Sequence, residues 1–196
     1  MRKITKRITL GPLALGNGEP ILIQSMTNTD TANREKTTAQ ILSLAGAGCD
    51  VIRFTVPDME SVKNIPFYKK AVEGYKVALV ADIHFDYRLA IESAEAGIDK
   101  IRINPGNIGD ECRVRDVARV CREKNIPIRI GVNGGSLEKD ILKKYSAPTA
   151  EALCESAVKE ARALEMADFE NIVLSVKSSD VVTMTRANRL ISEKCS

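Results

Sequence analysis

Val51-Ile-Arg-Phe54, Lys100-Ile-Arg-Ile103 and Pro127-Ile-Arg-Ile130 repeat one pattern, an arginine set inside a short run that is otherwise apolar. Runs of this length and composition read as strands. Working outward, they extend to Val51–Val56, Lys100–Ile103 and Pro127–Val132, and three further runs, Ile21–Met26, Val77–Val80 and Ile172–Val176, have the same character. They are apolar on both faces, as parallel strands covered by helices should be. Helical periods lie between them. Val114, Val117, Ala118 and Cys121 recur at i, i+3, i+4 and i+7, and Leu153, Ala157, Ala161 and Leu164 line one face of a longer helix. Gly48, Gly74, Gly97 and Asn125 stand where helices should stop.

Six strand–helix repeats in succession imply an α/β fold with a parallel sheet. No G-x-G-x-x-G opens the first helix, which removes the dinucleotide-binding form of the doubly wound fold. A repeat of about 25 to 40 residues suits a (β/α)8 TIM-type barrel. Ile4–Leu15, broken by Gly11-Pro12, reads as a small hairpin that plugs the bottom. A six-stranded arc would leave two long parallel edges open, an aggregation hazard. Residues 1–196 are therefore expected to be the N-terminal part of a barrel that binds substrate, with the last two βα units outside this sequence.

Composition narrows the function classes. Hydrophobic residues make up 44% and charged residues 28% of the 196, which fits a globular chain rather than a disordered one. A net charge of +3 gives no argument for nucleic acid or an acidic membrane surface. No apolar run approaches the roughly 18 residues of a membrane span, and the basic N-terminus is not followed by a signal-peptide core. The expected location is cytoplasmic. The five cysteines, Cys49, Cys112, Cys121, Cys154 and Cys195, are odd in number and contain no C-x-x-C pair, so they read as free thiols. With one histidine in the chain, an internal zinc site has no support.

Strand parity then selects a candidate site. Side chains alternate faces along a strand. If Ile52, Phe54, Ile101, Ile103, Ile128 and Ile130 pack on helices, the opposite face carries Arg53, Thr55, Arg102, Asn104, Arg129, Gly131 and Asn133 into the barrel. The same alternation turns Asp82 and His84 inward on the third strand, and Ser175 and Lys177 on the sixth. Barrel enzymes build active sites at these C-terminal strand ends. Three arginines and a lysine against one aspartate call for an anion, and guanidinium forks suit bidentate contact with phosphate oxygens. The ligand should carry more than one negative charge, as a diphosphate does. Asn104–Gly109 and Asn133–Ser136 are glycine-bearing loops that can offer backbone N–H groups to phosphate. Asp86 reads as the N-cap of a helix beginning at Tyr87.

The motifs that carry these residues are Gln24-Ser-Met-Thr-Asn-Thr29, Ala81-Asp-Ile-His-Phe-Asp-Tyr-Arg88, Arg102-Ile-Asn-Pro-Gly-Asn-Ile-Gly109, Ile126-Pro-Ile-Arg-Ile-Gly-Val-Asn133, Gly135-Ser-Leu-Glu-Lys-Asp140 and Ser175-Val-Lys-Ser-Ser-Asp180. In this order, over nearly the whole chain, they resemble the 4-hydroxy-3-methylbut-2-en-1-yl diphosphate synthases of the non-mevalonate isoprenoid pathway. The resemblance implies reductive ring opening of 2-C-methyl-D-erythritol 2,4-cyclodiphosphate by an iron–sulfur oxidoreductase. It implies a 4Fe-4S cluster on a C-terminal domain, held by three cysteines and a glutamate outside this chain, with ferredoxin or flavodoxin as electron donor and a homodimer as the assembly. It also implies that Arg53, Arg102, Arg129 and Lys177 bind the diphosphate, that His84 and Asn133 touch the substrate, and that Asp82 sits at the barrel mouth. Asn104 joins the set from strand parity. A catalytic glutamate and every cluster ligand are expected beyond Ser196, so no catalytic or metal residue is assigned within the chain. Two other readings use the same anion chemistry: another phosphate-binding barrel resembling dihydropteroate synthase, and a non-catalytic phosphate-binding module.

Overall fold

The computed structural model describes residues 3–104 and 111–195. A hairpin opens the chain: β1 (Ile8–Leu10) and β2 (Leu13–Leu15) pair antiparallel, with Leu10 opposite Leu13. Six parallel strands follow, β3 (Gln24–Met26), β4 (Val51–Thr55), β5 (Ala78–Asp82), β6 (Lys100–Ile103), β7 (Ile128–Asn133) and β8 (Ile172–Lys177). They form one sheet in strict sequence order. The helices between them are α1 (Arg34–Gly46), α2 (Met59–Ala71), α3 (Tyr87–Glu95), α4 (Glu111–Glu123), the short α5 (Lys139–Tyr145) and α6 (Ala150–Met166), and α7 (Val181–Lys194) follows β8. Strands in sequence order with a helix between each pair are the (β/α) barrel arrangement; a doubly wound sheet would reverse its strand order.

The two strand faces separate as parity requires. Ile52, Phe54, Leu79, Ala81, Ile101, Ile103, Ile128 and Ile130 are buried in one core with Ile41, Ile65 and Tyr68 of the first two helices, and Val117, Cys121, Leu153 and Ala157 of α4 and α6. Inside the curve a second, smaller cluster holds Val51, Ala78 and Val80 against Leu10 and Leu13 of the hairpin. The hairpin is thus the plug at the N-terminal end of the strands, and it seals the interior below the polar groups.

The sheet is strongly rolled. Arg129 of β7 donates from Nη1 to Gln24 Oε1 of β3 at 3.2 Å. Four strand spacings separate β3 from β7, roughly 19 Å across a flat sheet, so this bond exists only because the sheet curls on itself. Its two edges are β3 and β8. Ile21 and Ile23 are exposed beside the first edge, and Val181 and Val182 just after the second.

The first strand is shorter than the apolar run Ile21–Met26 implies. The Asp50 carboxylate takes the Ile23 N–H at 2.7 Å, and the ladder with β4 begins at Gln24 opposite Val51. Helix starts follow side-chain capping: Asn33, Asp58, Asp86, Thr149 and Asp180 each accept a backbone N–H from the first turn. Asp86 and Asp180, both inside the recognised motifs, are therefore caps. Arg88 first, and then its backbone N–H, hold the Asp86 carboxyl below the usual carboxylate range.

One glycine locks the plug to the sheet. Gly11 has φ +53°, and a Cβ there would stand 2.5 Å from Asp99 Oδ1. That aspartate cannot easily yield, because it pairs with Lys69 at 2.6 Å and accepts the Leu79 N–H at 2.8 Å. Gly11→Ala is expected to lose about 2–4 kcal/mol, combining the left-handed backbone cost with a displaced buried carboxylate. Urea unfolding measures it as a lower midpoint at unchanged slope; a shift under 0.5 kcal/mol (order of magnitude) would mean the plug contributes little.

Candidate functional site

The layer above the apolar plug is charged. Asp82, at the end of β5, is 3% exposed and lies between two arginines. Arg102 Nη1 reaches Asp82 Oδ1 at 2.9 Å from β6, and Arg53 Nε reaches Asp82 Oδ2 at 3.4 Å from β4. Both guanidinium side chains are nearly buried, 10% exposed for Arg102 and 14% for Arg53. Sheet register sets this arrangement, since Thr55, Asp82, Arg102 and Arg129 are successive partners across β4 to β7.

Each arginine is also held by a neutral neighbour. Arg102 Nη2 donates to the Gly131 carbonyl at 3.3 Å. A Cβ on Gly131 would lie 2.6 Å from Arg102 Nε, so the glycine makes room for the guanidinium to cross β7. Arg53 donates to the Met26 sulfur from Nε and Nη2. Arg129 donates to Ser175 Oγ at 2.7 Å as well as to Gln24. Among the described residues no acid pairs with Arg129; burial first, then Arg53 and Arg102, pull its pKa below the ordinary value, and Asp82 offsets this only in part.

Lys177, at the end of the edge strand β8, is exposed. Partial desolvation followed by the charges of Arg53, Arg129 and Arg102 lowers its pKa, which places its ammonium within their field. Asn133 is half-buried at the end of β7 and is followed by a 3-10 turn, Gly134–Ser136. Asn104 is buried directly after β6. Residues 105–110 of the loop read as a phosphate cradle lie outside the described residues. His84 sits two residues past the end of β5 rather than on the strand, half-buried, with Phe85 as its ring neighbour. The structure thus brings Arg53, Asp82 and Arg102 into one ion-paired cluster, with Arg129 beside it in the same field, held by Gln24 and Ser175, and Lys177 at its rim. Among the described residues His84, Asn104 and Asn133 make no side-chain hydrogen bond to that cluster.

Three participants escaped the sequence reading. Gln24 and Met26 orient two of the arginines: Met26 is the ladder partner of Arg53 on the neighbouring strand, and only the closure of the sheet brings Gln24 to Arg129. Lys100, 3% exposed, is the third. Its signal was present, since it precedes Arg102 by two residues and so shares its face.

A family model for the GcpE TIM-barrel domain matches residues 5–196. The chain belongs to the GcpE TIM-barrel family. Curated relatives carry the name 4-hydroxy-3-methylbut-2-en-1-yl diphosphate synthase (flavodoxin). The one from Caldanaerobacter subterraneus subsp. tengcongensis is 53% identical over 194 residues, 99% of this chain and 54% of that protein. The one from Caldicellulosiruptor saccharolyticus is 51% identical over 193 residues, covering 98% and 55%. The chain spans about half the length of the curated relatives it matches. Among solved structures, a truncated 3-deoxy-D-arabino-heptulosonate 7-phosphate synthase from Thermotoga maritima superposes with TM-score 0.65 at 16% identity, over 96% of this chain and 66% of that one. Dihydropteroate synthase from Xanthomonas albilineans does so with TM-score 0.62 at 14% identity, over 97% and 72%. At such identities the likeness shows the barrel fold alone.

The described GcpE-type barrel residues do not fit an iron–sulfur cluster. No group of three or more His, Cys, Asp or Glu among them can hold a metal. Cys121 and Cys154 are buried on helices, and burial pushes the Cys121 thiol up to about 12, far from thiolate formation. No helix among the described residues is long and apolar enough to cross a membrane.

Proposed function

We propose that this chain is the diphosphate-binding barrel portion of a 4-hydroxy-3-methylbut-2-en-1-yl diphosphate synthase. The observation that carries this reading is the convergence of Arg53, Arg102 and Arg129 on one interior face, where among the described residues Asp82 is the one carboxylate paired with any of them. Asp82 neutralises about one of the three charges. The remainder is matched by a ligand with two phosphates, and 2-C-methyl-D-erythritol 2,4-cyclodiphosphate has that charge.

In this reading the chain binds and orients. Arg102, fixed by Asp82 and the Gly131 carbonyl, presents a guanidinium edge to phosphate oxygens. Arg129 exchanges its contacts with Gln24 and Ser175 for a charged acceptor, which is the stronger partner. Lys177 closes the rim; Asn104, Asn133 and His84, at the strand ends, offer hydrogen bonds to substrate oxygens. The plug hairpin keeps water out from below. Ring opening takes two electrons and releases water. The electrons come from flavodoxin, the donor in the relatives' names, and the 4Fe-4S cluster, the catalytic glutamate and the second protomer of a homodimer belong to parts beyond these residues.

Calorimetric titration of the protein with the cyclodiphosphate tests the reading. One molecule is expected to bind per barrel, and Arg129→Met to weaken binding by roughly tenfold or more, about 1.4 kcal/mol or above. Equal affinity in both proteins, or a melting temperature raised by a pterin and not by the cyclodiphosphate, would overturn it in favour of another phosphate-binding barrel.

A further inference from the structure

The hydrogen-bonded rows of the sheet hold a cation, Lys100, to which the diphosphate reading above gives no role. Met26 is paired with Arg53, Arg53 with Val80, and Val80 with Lys100. Lys100 therefore occupies the same interior row as Arg53, one step below the row of Asp82, Arg102 and Arg129. It is 3% exposed, and among the described residues its side chain has no hydrogen bond and no acidic partner. Val80 is beside it in the same row, and below lie the apolar side chains Val51 and Ala78 and the hairpin leucines. Among the described residues the charged groups that face this interior are Arg53 from β4, Asp82 from β5, Arg102 from its own strand, Arg129 from β7 and Lys177 from β8. The one carboxylate among them is already shared by Arg53 and Arg102.

A buried ammonium with cations above it and hydrocarbon below it lacks a counter-ion. Its flexible four-carbon stem can turn the amine toward the arginine layer, where a diphosphate would supply that counter-ion. We propose that Lys100 is a further phosphate-binding cation of this site and that it takes up a proton as the anion binds. The proposal deepens the diphosphate reading and rests on it. The electrostatics agree: burial, then Arg129 and Arg53, bring the empty-site pKa of Lys100 down to about 8. Bound phosphate acts in the opposite sense and restores the charged form. At pH 8 the empty site is then about half protonated at Lys100, and the occupied site fully. Affinity is level below that pH. Above it, affinity falls by up to tenfold per pH unit until the bound-state pKa is reached.

The test uses cyclic triphosphate, whose acid groups are all ionised between pH 7 and 9, so that any proton taken up belongs to the protein. Calorimetry at pH 8, in buffers of different ionisation heat, is expected to show uptake of roughly half a proton per anion. Binding should weaken about tenfold from pH 7 to pH 9. Lys100→Met is of similar length and removes an unpaired buried charge, so it should fold at least as well, which circular dichroism checks. It is expected to abolish the uptake, flatten the pH profile and weaken binding about tenfold at pH 7. Absence of proton uptake by the wild-type protein overturns the proposal without any variant. Uptake that persists in Lys100→Met also overturns it and moves the proton to another group of the site. Absence of anion binding by the wild-type protein overturns the diphosphate site itself, and Lys100 with it.

Discussion

Asp82→Asn is expected to cost about 3–5 kcal/mol of folding stability. Asparagine keeps the shape and one acceptor but not the charge. Arg53 and Arg102 would then stand nearly buried at 3.4 and 2.9 Å from a neutral group, with Arg129 and Lys100 in the same field. Among the described residues Asp82 is the only acid paired with these cations, so no neighbour can take its place. The loss should be partly reversible by an anion. Sulfate placed among the guanidiniums replaces the missing negative charge, and binding to the native state alone stabilises it by mass action. Urea unfolding with and without sulfate measures both effects. The variant is expected to regain more stability from sulfate than the wild-type protein does, a comparison that cancels the general stabilising action of the salt. A loss below about 1 kcal/mol, or an equal sulfate gain in the two proteins, would show that water already screens the cluster.

Arg102→Met is expected to weaken binding of the cyclodiphosphate by roughly 2–4 kcal/mol, from about 30-fold to several hundred-fold. Of the three arginines it is the most enclosed, and it is braced on both sides by Asp82 and the Gly131 carbonyl. A braced guanidinium loses little side-chain freedom when the ligand arrives, so most of its phosphate contact appears as affinity. The same substitution frees Asp82 from its shortest partner, leaving Arg53 to hold it. Stability should therefore fall less than in Asp82→Asn. Titration calorimetry on the folded variant reads the affinity, and urea unfolding reads the stability. Unchanged affinity would remove Arg102 from the binding set and leave it as a structural partner of Asp82.

Much of the site was legible because strands have a period of two. Once Ile101 and Ile103 are taken as helix-facing, Arg102 has no other direction to point, and the same holds for Arg53 and Arg129. Asp82 follows the same rule. Parity was less informative past the strand ends. His84 was placed on the third strand, but β5 stops at Asp82 and the chain bends before α3, whose cap is Asp86. Lys100 obeyed the parity rule and was still overlooked, since a lysine at the start of a strand reads as a solvated end. Only the plug of Leu10 and Leu13 beneath the sheet makes that position dry.

The sequence by itself determined the order of the elements, the face each strand turns inward and the excess of positive charge on that face, because these are local properties of spacing and residue type. The tertiary structure decided which of those groups meet. Gln24 and Arg129 are 105 residues apart and four strands apart in the sheet, yet they share a hydrogen bond. Gly131 looks like one more strand glycine until Arg102 is found lying across it. Both contacts depend on how tightly the sheet rolls. Accumulated strand twist and the packing of every helix against the outer face set that curvature together, so no single stretch of residues encodes it.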